Sequence, residues 1–223
     1  MRNQFDVQLH KLNDELVEMG ELVKESIENA ATAFDKDNPL TIDEIADKSS
    51  ELEQQTDEKE KEIESLCLNL LLRQQPVATD LRLVSSALKM ITDLERIGDN
   101  TQDITNLAKS MRKGSYADGK PYLQERKKLL QMANTTTRMV NDSIRAFVER
   151  DVNLALEVRA HDDIVDELFV SVRNDLIKVL REDIESGERA IDLLMVAKYF
   201  ERIGDHIENV AEWVIFSILG KRP

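Results

Sequence analysis

Apolar residues recur every three or four positions along almost the whole chain, the spacing that lines one face of an α-helix rather than the alternation of a strand. The first run, Phe5, Leu9, Leu12, Leu16, Met19, Val23, Ile27 and Ala30, predicts a helix over about 3–34. Residues 35–39 interrupt it. Asn38 and Pro39 read as a cap followed by a first helical residue, so a second helix is expected from there to about 73 through Ile42, Ile45, Leu52, Ile63, Leu66 and Leu70. Beyond Pro76, the run Leu81, Val84, Leu88, Ile91, Leu94, Ile97, Ile104 and Leu107 predicts a third helix over about 77–111. Residues 114–121 form the chain's one cluster of breakers and set a boundary between a first domain, 1–115, and a second, 116–223. The plan then repeats, with helices over about 122–149, 153–185 and 188–219 and a turn at Gly187 between the last two. Helices of about 30 residues are about 45 Å long. Three of them joined by short turns make an antiparallel bundle. The expected fold is therefore all-α, an elongated tandem repeat of two antiparallel three-helix bundles forming a rod or a flattened slab.

The repeat is explicit in one pentapeptide. Glu95-Arg96-Ile97-Gly98-Asp99 returns as Glu201-Arg202-Ile203-Gly204-Asp205, each copy deep within a helical run. Acids four residues apart share a helix face and repel, at a few tenths of a kcal/mol per pair. Helix three carries Glu95, Asp99 and Asp103 in such a ladder, and helix six carries Glu201, Asp205 and Asn209 at the matching positions. Glu95 lies within a turn of Ile91 and Gly98, beside the apolar seam, and a half-buried carboxylate needs a counter-ion or a metal. A mid-helix glycine costs about 1 kcal/mol against alanine and marks a close approach or a site. A cation or salt-bridge site is expected at each copy. In the second half, Asp162 and Asp166 on helix five are its expected partners. In the first half, Asp47 and Glu51 on helix two are the expected counterparts, with Glu44, Asp57, Glu58 and Glu62 competing. All-oxygen ligands suit Fe, Mn, Mg or Ca better than structural zinc.

Charge and composition narrow the classes of function. Of 223 residues, 33% are charged and 4% aromatic, with a formal net charge of −14. That balance argues against nucleic acid, whose phosphates need clustered Lys and Arg, and favours cations or basic protein surfaces. The N-terminus lacks the apolar core of a signal peptide, and no run approaches the roughly 20 apolar residues of a spanning helix, so an intracellular, soluble chain is expected. The lone Cys67, among leucines, reads as a buried hydrophobe. His10, His161 and His206 lack a Glu three residues before them, which disfavours a di-iron oxidase of the Glu-x-x-His type. Gly114 to Lys120 imitates a phosphate-binding loop, but Pro121 follows where Ser or Thr is needed and no strand precedes it. Asn134-Thr135-Thr136 matches a glycosylation sequon that carries no weight in a chain without an export signal. No nucleophile and base pair appears, and an enzyme is not expected.

The run Arg73-Gln74-Gln75-Pro76-Val77-Ala78-Thr79-Asp80-Leu81-Arg82, followed in order by Leu94-Glu95-Arg96-Ile97-Gly98-Asp99 and Phe200-Glu201-Arg202-Ile203-Gly204-Asp205, closely resembles the PhoU family over essentially the whole chain. The resemblance implies a cytoplasmic, non-catalytic regulator of phosphate uptake and phosphate-starvation signalling. Its implied partners are the ATPase subunit of a high-affinity phosphate ABC transporter and a sensor histidine kinase, reached at the inner face of the membrane, with self-association as a homodimer. The family's acid-x-x-x-Asp metal pattern falls on Glu95, Asp99 and Asp103, on Glu201 and Asp205, and on Asp162 and Asp166. Fe, Zn or Mn are the implied ions, and Asn209 in place of an acid implies unequal occupancy of the two sites. The resemblance also leaves open an accessory subunit of a low-affinity metal-phosphate symporter. A carboxylate-bridged metalloenzyme and a ligand-free scaffold are the remaining alternatives.

Overall fold

The computed structural model describes residues 2–35, 37–74, 76–113, 123–183 and 187–221. Six helices account for them: α1 (Arg2–Thr32), α2 (Ile42–Gln74), α3 (Thr79–Lys113), α4 (Leu123–Glu149), α5 (Val152–Glu182) and α6 (Gly187–Leu219). No strand occurs among the described residues. The expected boundary at 114–121, with its imitation phosphate loop, lies outside them.

Local chemistry sets the helix ends. Helix α2 starts later than the Asn38-Pro39 signal predicts, because Thr41 and Glu44 form a capping box. The Glu44 carboxylate accepts from the Thr41 backbone N–H at 2.8 Å, and the Thr41 hydroxyl oxygen accepts from the Glu44 N–H at 3.2 Å. Asn38 instead accepts from Leu40 N–H in the turn. Asp151 caps α5 by accepting from Asn153 and Leu154 N–H. Just before it, α4 closes with Arg150 at φ 57° and a bond from Asp151 N–H to the Ala146 carbonyl at 2.9 Å. That left-handed stop usually belongs to glycine.

Helix α2 packs on α1 and α3, and α5 packs on α4 and α6, while α3 against α6 and α1 against α4 join the halves. The result is a slab in which α1, α3, α4 and α6 form the middle and α2 and α5 the outer edges. One continuous core fills it: Leu12, Leu16, Met19, Val23 and Ile27 of α1, Ile91, Leu94 and Ile97 of α3, and Phe200, Ile203 and Ile207 of α6 all belong to it. Each such side chain contributes about 1.5–3 kcal/mol by leaving water. Gly20 lets α1 approach α4, since a Cβ there would lie 2.7 Å from Ile144 Cγ1.

The α3–α6 pairing is antiparallel. Arg82 at the start of α3 lies against Gly220 beyond α6, Asp93 bonds His206 at 3.0 Å, and the Tyr199 hydroxyl bonds Asp103. These pairs bring the two repeated pentapeptides to the same level at mid-slab. Because Leu94, Ile97, Phe200 and Ile203 point into the core, the acids one residue on, about 100° around each helix, are turned to the flanks that face α2 and α5.

Candidate cation site

Each pentapeptide faces its own outer helix through its glycine. On the second half, a Cβ at Gly204 would collide with Asp162 Oδ1 of α5, closer than real Cβ contacts come. Gly204 is thus the hollow into which the Asp162 carboxylate fits. Asp162 is only 8% exposed, and its Oδ1 is buried with no hydrogen-bond partner. Burial, followed by the charges of Asp166, Asp205, Glu208 and Glu201, pushes its carboxyl up to about 7. Asp205, exposed one residue beyond Gly204, is also raised, by burial and then by Glu201. Three acids of the group have basic neighbours: Glu201 pairs with Lys198, which also pulls on Asp205 together with His206, and Glu208 accepts from Arg159 Nε at 3.1 Å. Asn209 sits half-buried a turn past Asp205.

The first half follows the same plan with different chemistry. Gly98 faces Thr56, whose methyl would stand 3.5 Å from an added Cβ, an ordinary contact. The spacing from Thr56 to Asp162 equals that from Gly98 to Gly204, so Thr56 holds the position of the buried acid. Its hydroxyl donates to the Leu52 carbonyl at 2.8 Å and needs nothing more. Half-buried Glu95 is pushed up to about 7 by burial, then by Asp99, Glu60 and Asp57, against the opposing pull of Arg96. Exposed Asp99 is raised by burial, then by Asp57 and Asp103. Glu60, which accepts from Thr92 Oγ1 at 3.4 Å, and Glu53 are raised chiefly by burial.

Asp47 and Glu51 do not face the first pentapeptide. Asp47 is exposed and acts on Lys109, while Glu51 pairs with Lys48 at 3.6 Å and accepts from Gln55 at 3.1 Å. The acids of α2 that bear on Glu95 are Asp57 and Glu60, because the Thr56–Gly98 contact fixes the rotation of α2 against α3. A signal for this exists in the chain: the repeat spacing, counted back from Asp162 and Asp166, lands on Thr56 and Glu60.

Among the described residues, no three Asp, Glu, His or Cys side chains converge as a ready-made metal cage. Asp99, Asp103, Asp166 and Asp205 stand exposed at the rim, and the one deeply buried carboxylate among the expected ligands is Asp162. The arrangement is an open acidic flank with a single inward anchor. His206 is committed to Asp93 across the α3–α6 interface. Cys67 is buried, and burial pushes its thiol up to about 12. Asn134 and Thr136 lie inside α4, with Thr136 buried. No helix among the described residues is long and apolar enough to cross a membrane.

Fold and site together define a class: duplicated three-helix proteins that carry a repeated acidic motif between each middle helix and its outer neighbour. Residues 16–108 and 129–214 each match the PhoU domain model, and the chain belongs to the PhoU family. It is 35% identical over 222 residues to a phosphate-specific transport system accessory protein PhoU homolog of Clostridium acetobutylicum, covering 99% of this chain and 97% of that one. A Thermotoga maritima protein of the same description, PhoU homolog 1, is 32% identical, with 97% of this chain and 90% of that relative covered. The crystal structure of PhoU from Pseudomonas aeruginosa superposes with a TM-score of 0.85 at 30% identity, covering 97% of this chain and 100% of the other.

Proposed function

We propose that this chain is a non-catalytic accessory protein of phosphate-specific transport. It acts in the cytoplasm, at the inner face of the membrane, beside the ATPase subunit of a high-affinity phosphate transporter and a sensor histidine kinase. There it holds phosphate-starvation output down while phosphate is plentiful. The observation that carries this reading is the likeness, over nearly the full length of both chains, to relatives described as phosphate-specific transport accessory proteins. A net charge of −14 supports docking on basic elements of those partners, because Coulomb attraction speeds encounter while apolar contacts set the lifetime.

A divalent cation at the acidic flanks belongs to the same proposal. The residues fit one: Asp162 offers a buried oxygen with no partner in the hollow of Gly204, and Asp166 and Asp205 at the rim, with Glu201 in exchange for Lys198, would supply further oxygens by turning toward it. An all-carboxylate set suits a hard or borderline ion such as Mn²⁺ or Fe²⁺. Such an ion would relieve the repulsion among these acids and tie α5 to α6. The test is capture of the tagged chain from phosphate-replete and phosphate-starved cells. Recovery of the transporter ATPase and the kinase, in proportions that change with phosphate, is expected. Recovery of a metal-phosphate symporter without either would overturn the reading.

A further inference from the structure

The two halves differ at the one position where the repeat matters most for a cation. Gly204 opens a hollow that the Asp162 carboxylate fills, whereas Gly98 opens the same hollow onto the methyl of Thr56. Asp162 Oδ1 is buried with its hydrogen-bonding capacity unused, on a side chain 8% exposed. A buried carboxylate oxygen with no donor costs several kcal/mol unless something positive meets it. Thr56 has no such debt, since its hydroxyl is satisfied by the Leu52 carbonyl of its own helix. The third rung of each ladder differs too, Asp103 in the first half and Asn209 in the second. Counting acids alone would therefore rank the first site higher. The buried anchor reverses that order, because an inward, desolvated carboxylate binds a cation far more strongly than an exposed one in water.

We infer that the chain carries one tight divalent-cation site, on the second half, built around Asp162 in the hollow of Gly204, and that the first half, with Thr56 in that place, has only weak affinity. This rests on the cation part of the proposed function and assigns the occupancy within it. The first half then keeps half-buried Asp57 and exposed Asp99 and Asp103 unscreened by a resident ion.

The experiment is Mn²⁺ titration of the full chain, with free Mn²⁺ followed by its electron paramagnetic resonance, on the wild type and on two variants at repeat-related positions. Gly204→Ala places a methyl against Asp162 Oδ1, while Gly98→Ala meets only an ordinary contact. Both variants gain helix propensity, and helical content by circular dichroism confirms that they fold. One tight equivalent is expected for the wild type, retained in Gly98→Ala and weakened about 10–100-fold in Gly204→Ala. Thr56→Asp is expected to add a second tight equivalent. Two equal tight equivalents in the wild type, or equal weakening by the two alanines, would overturn this inference and leave a bound cation standing. No uptake of Mn²⁺ at all would overturn both.

Discussion

Asp162→Asn in the metal-free protein is expected to raise stability, and to do so in a pH-dependent way. The wild-type carboxyl holds its proton up to about 7 in the fold, against 3.8 ordinarily. The folded state therefore binds that proton more tightly than the unfolded chain does. Its contribution is fully present below about 3.8, falls as pH rises toward about 7, and is gone above it. Between those limits the difference amounts to about 4 kcal/mol. Asparagine removes the charge but leaves a buried amide whose own unpaired groups cost about 1–2 kcal/mol. The net gain at pH 8 is then about 2–3 kcal/mol, or about 4–12 °C in Tm for a chain of this size. At pH 4, where the wild-type group is already neutral, the advantage disappears or reverses. Thermal unfolding by circular dichroism at pH 4, 6 and 8, with chelator present, measures this. A Tm difference between variant and wild type that is flat across these pH values, or a variant less stable at pH 8, would refute the argument.

Three further substitutions test other parts of the structure. Gly98→Ala should stabilise by about 1 kcal/mol, because helix propensity improves and the new methyl meets Thr56 at an ordinary 3.5 Å; chemical denaturation reads it. Arg150→Gly should also stabilise, by about 1 kcal/mol, since Arg150 holds φ 57° where glycine carries no steric cost; an unchanged or lowered denaturation midpoint would count against a strained stop to α4. Arg126→Leu should cost about 1–3 kcal/mol, because Arg126 Nε and Nη2 donate to the Phe34 carbonyl at 3.0 and 2.7 Å and so tie the end of α1 to the second half; proteolysis should then cut first near 33–41.

The helices were legible in the sequence because apolar residues recur at helical spacing along almost the whole chain, and the Phe5 to Ala30 run falls on α1 (Arg2–Thr32) as expected. Helix starts were less so. Pro39 is a strong punctuation mark, yet the first helical residue is Ile42, because the reciprocal Thr41–Glu44 bonds outweigh it. The repeated pentapeptide showed where acids gather, but not which acids of α2 join them. That helix carries acids at so many positions that only its rotation against α3, set by the Thr56–Gly98 contact, selects Asp57 and Glu60 over Asp47 and Glu51. Nor did spacing alone reveal that Asp162 is swallowed by the hollow of Gly204. A mid-helix glycine signals a close approach without naming what approaches, and its partner is a carboxylate in one half and a methyl in the other. Joining of the halves by α3 against α6, with Asp93 bonded to His206, depends on side chains 113 positions apart that no local pattern pairs.

The most direct measurement is anomalous diffraction from crystals of the full chain grown with Mn²⁺. An anomalous peak is expected between α5 and α6, beside the otherwise unpartnered Asp162 Oδ1 and exposed acids drawn inward from the rim. Density showing Asp162 turned out to solvent, with no ion beside Gly204, would contradict it.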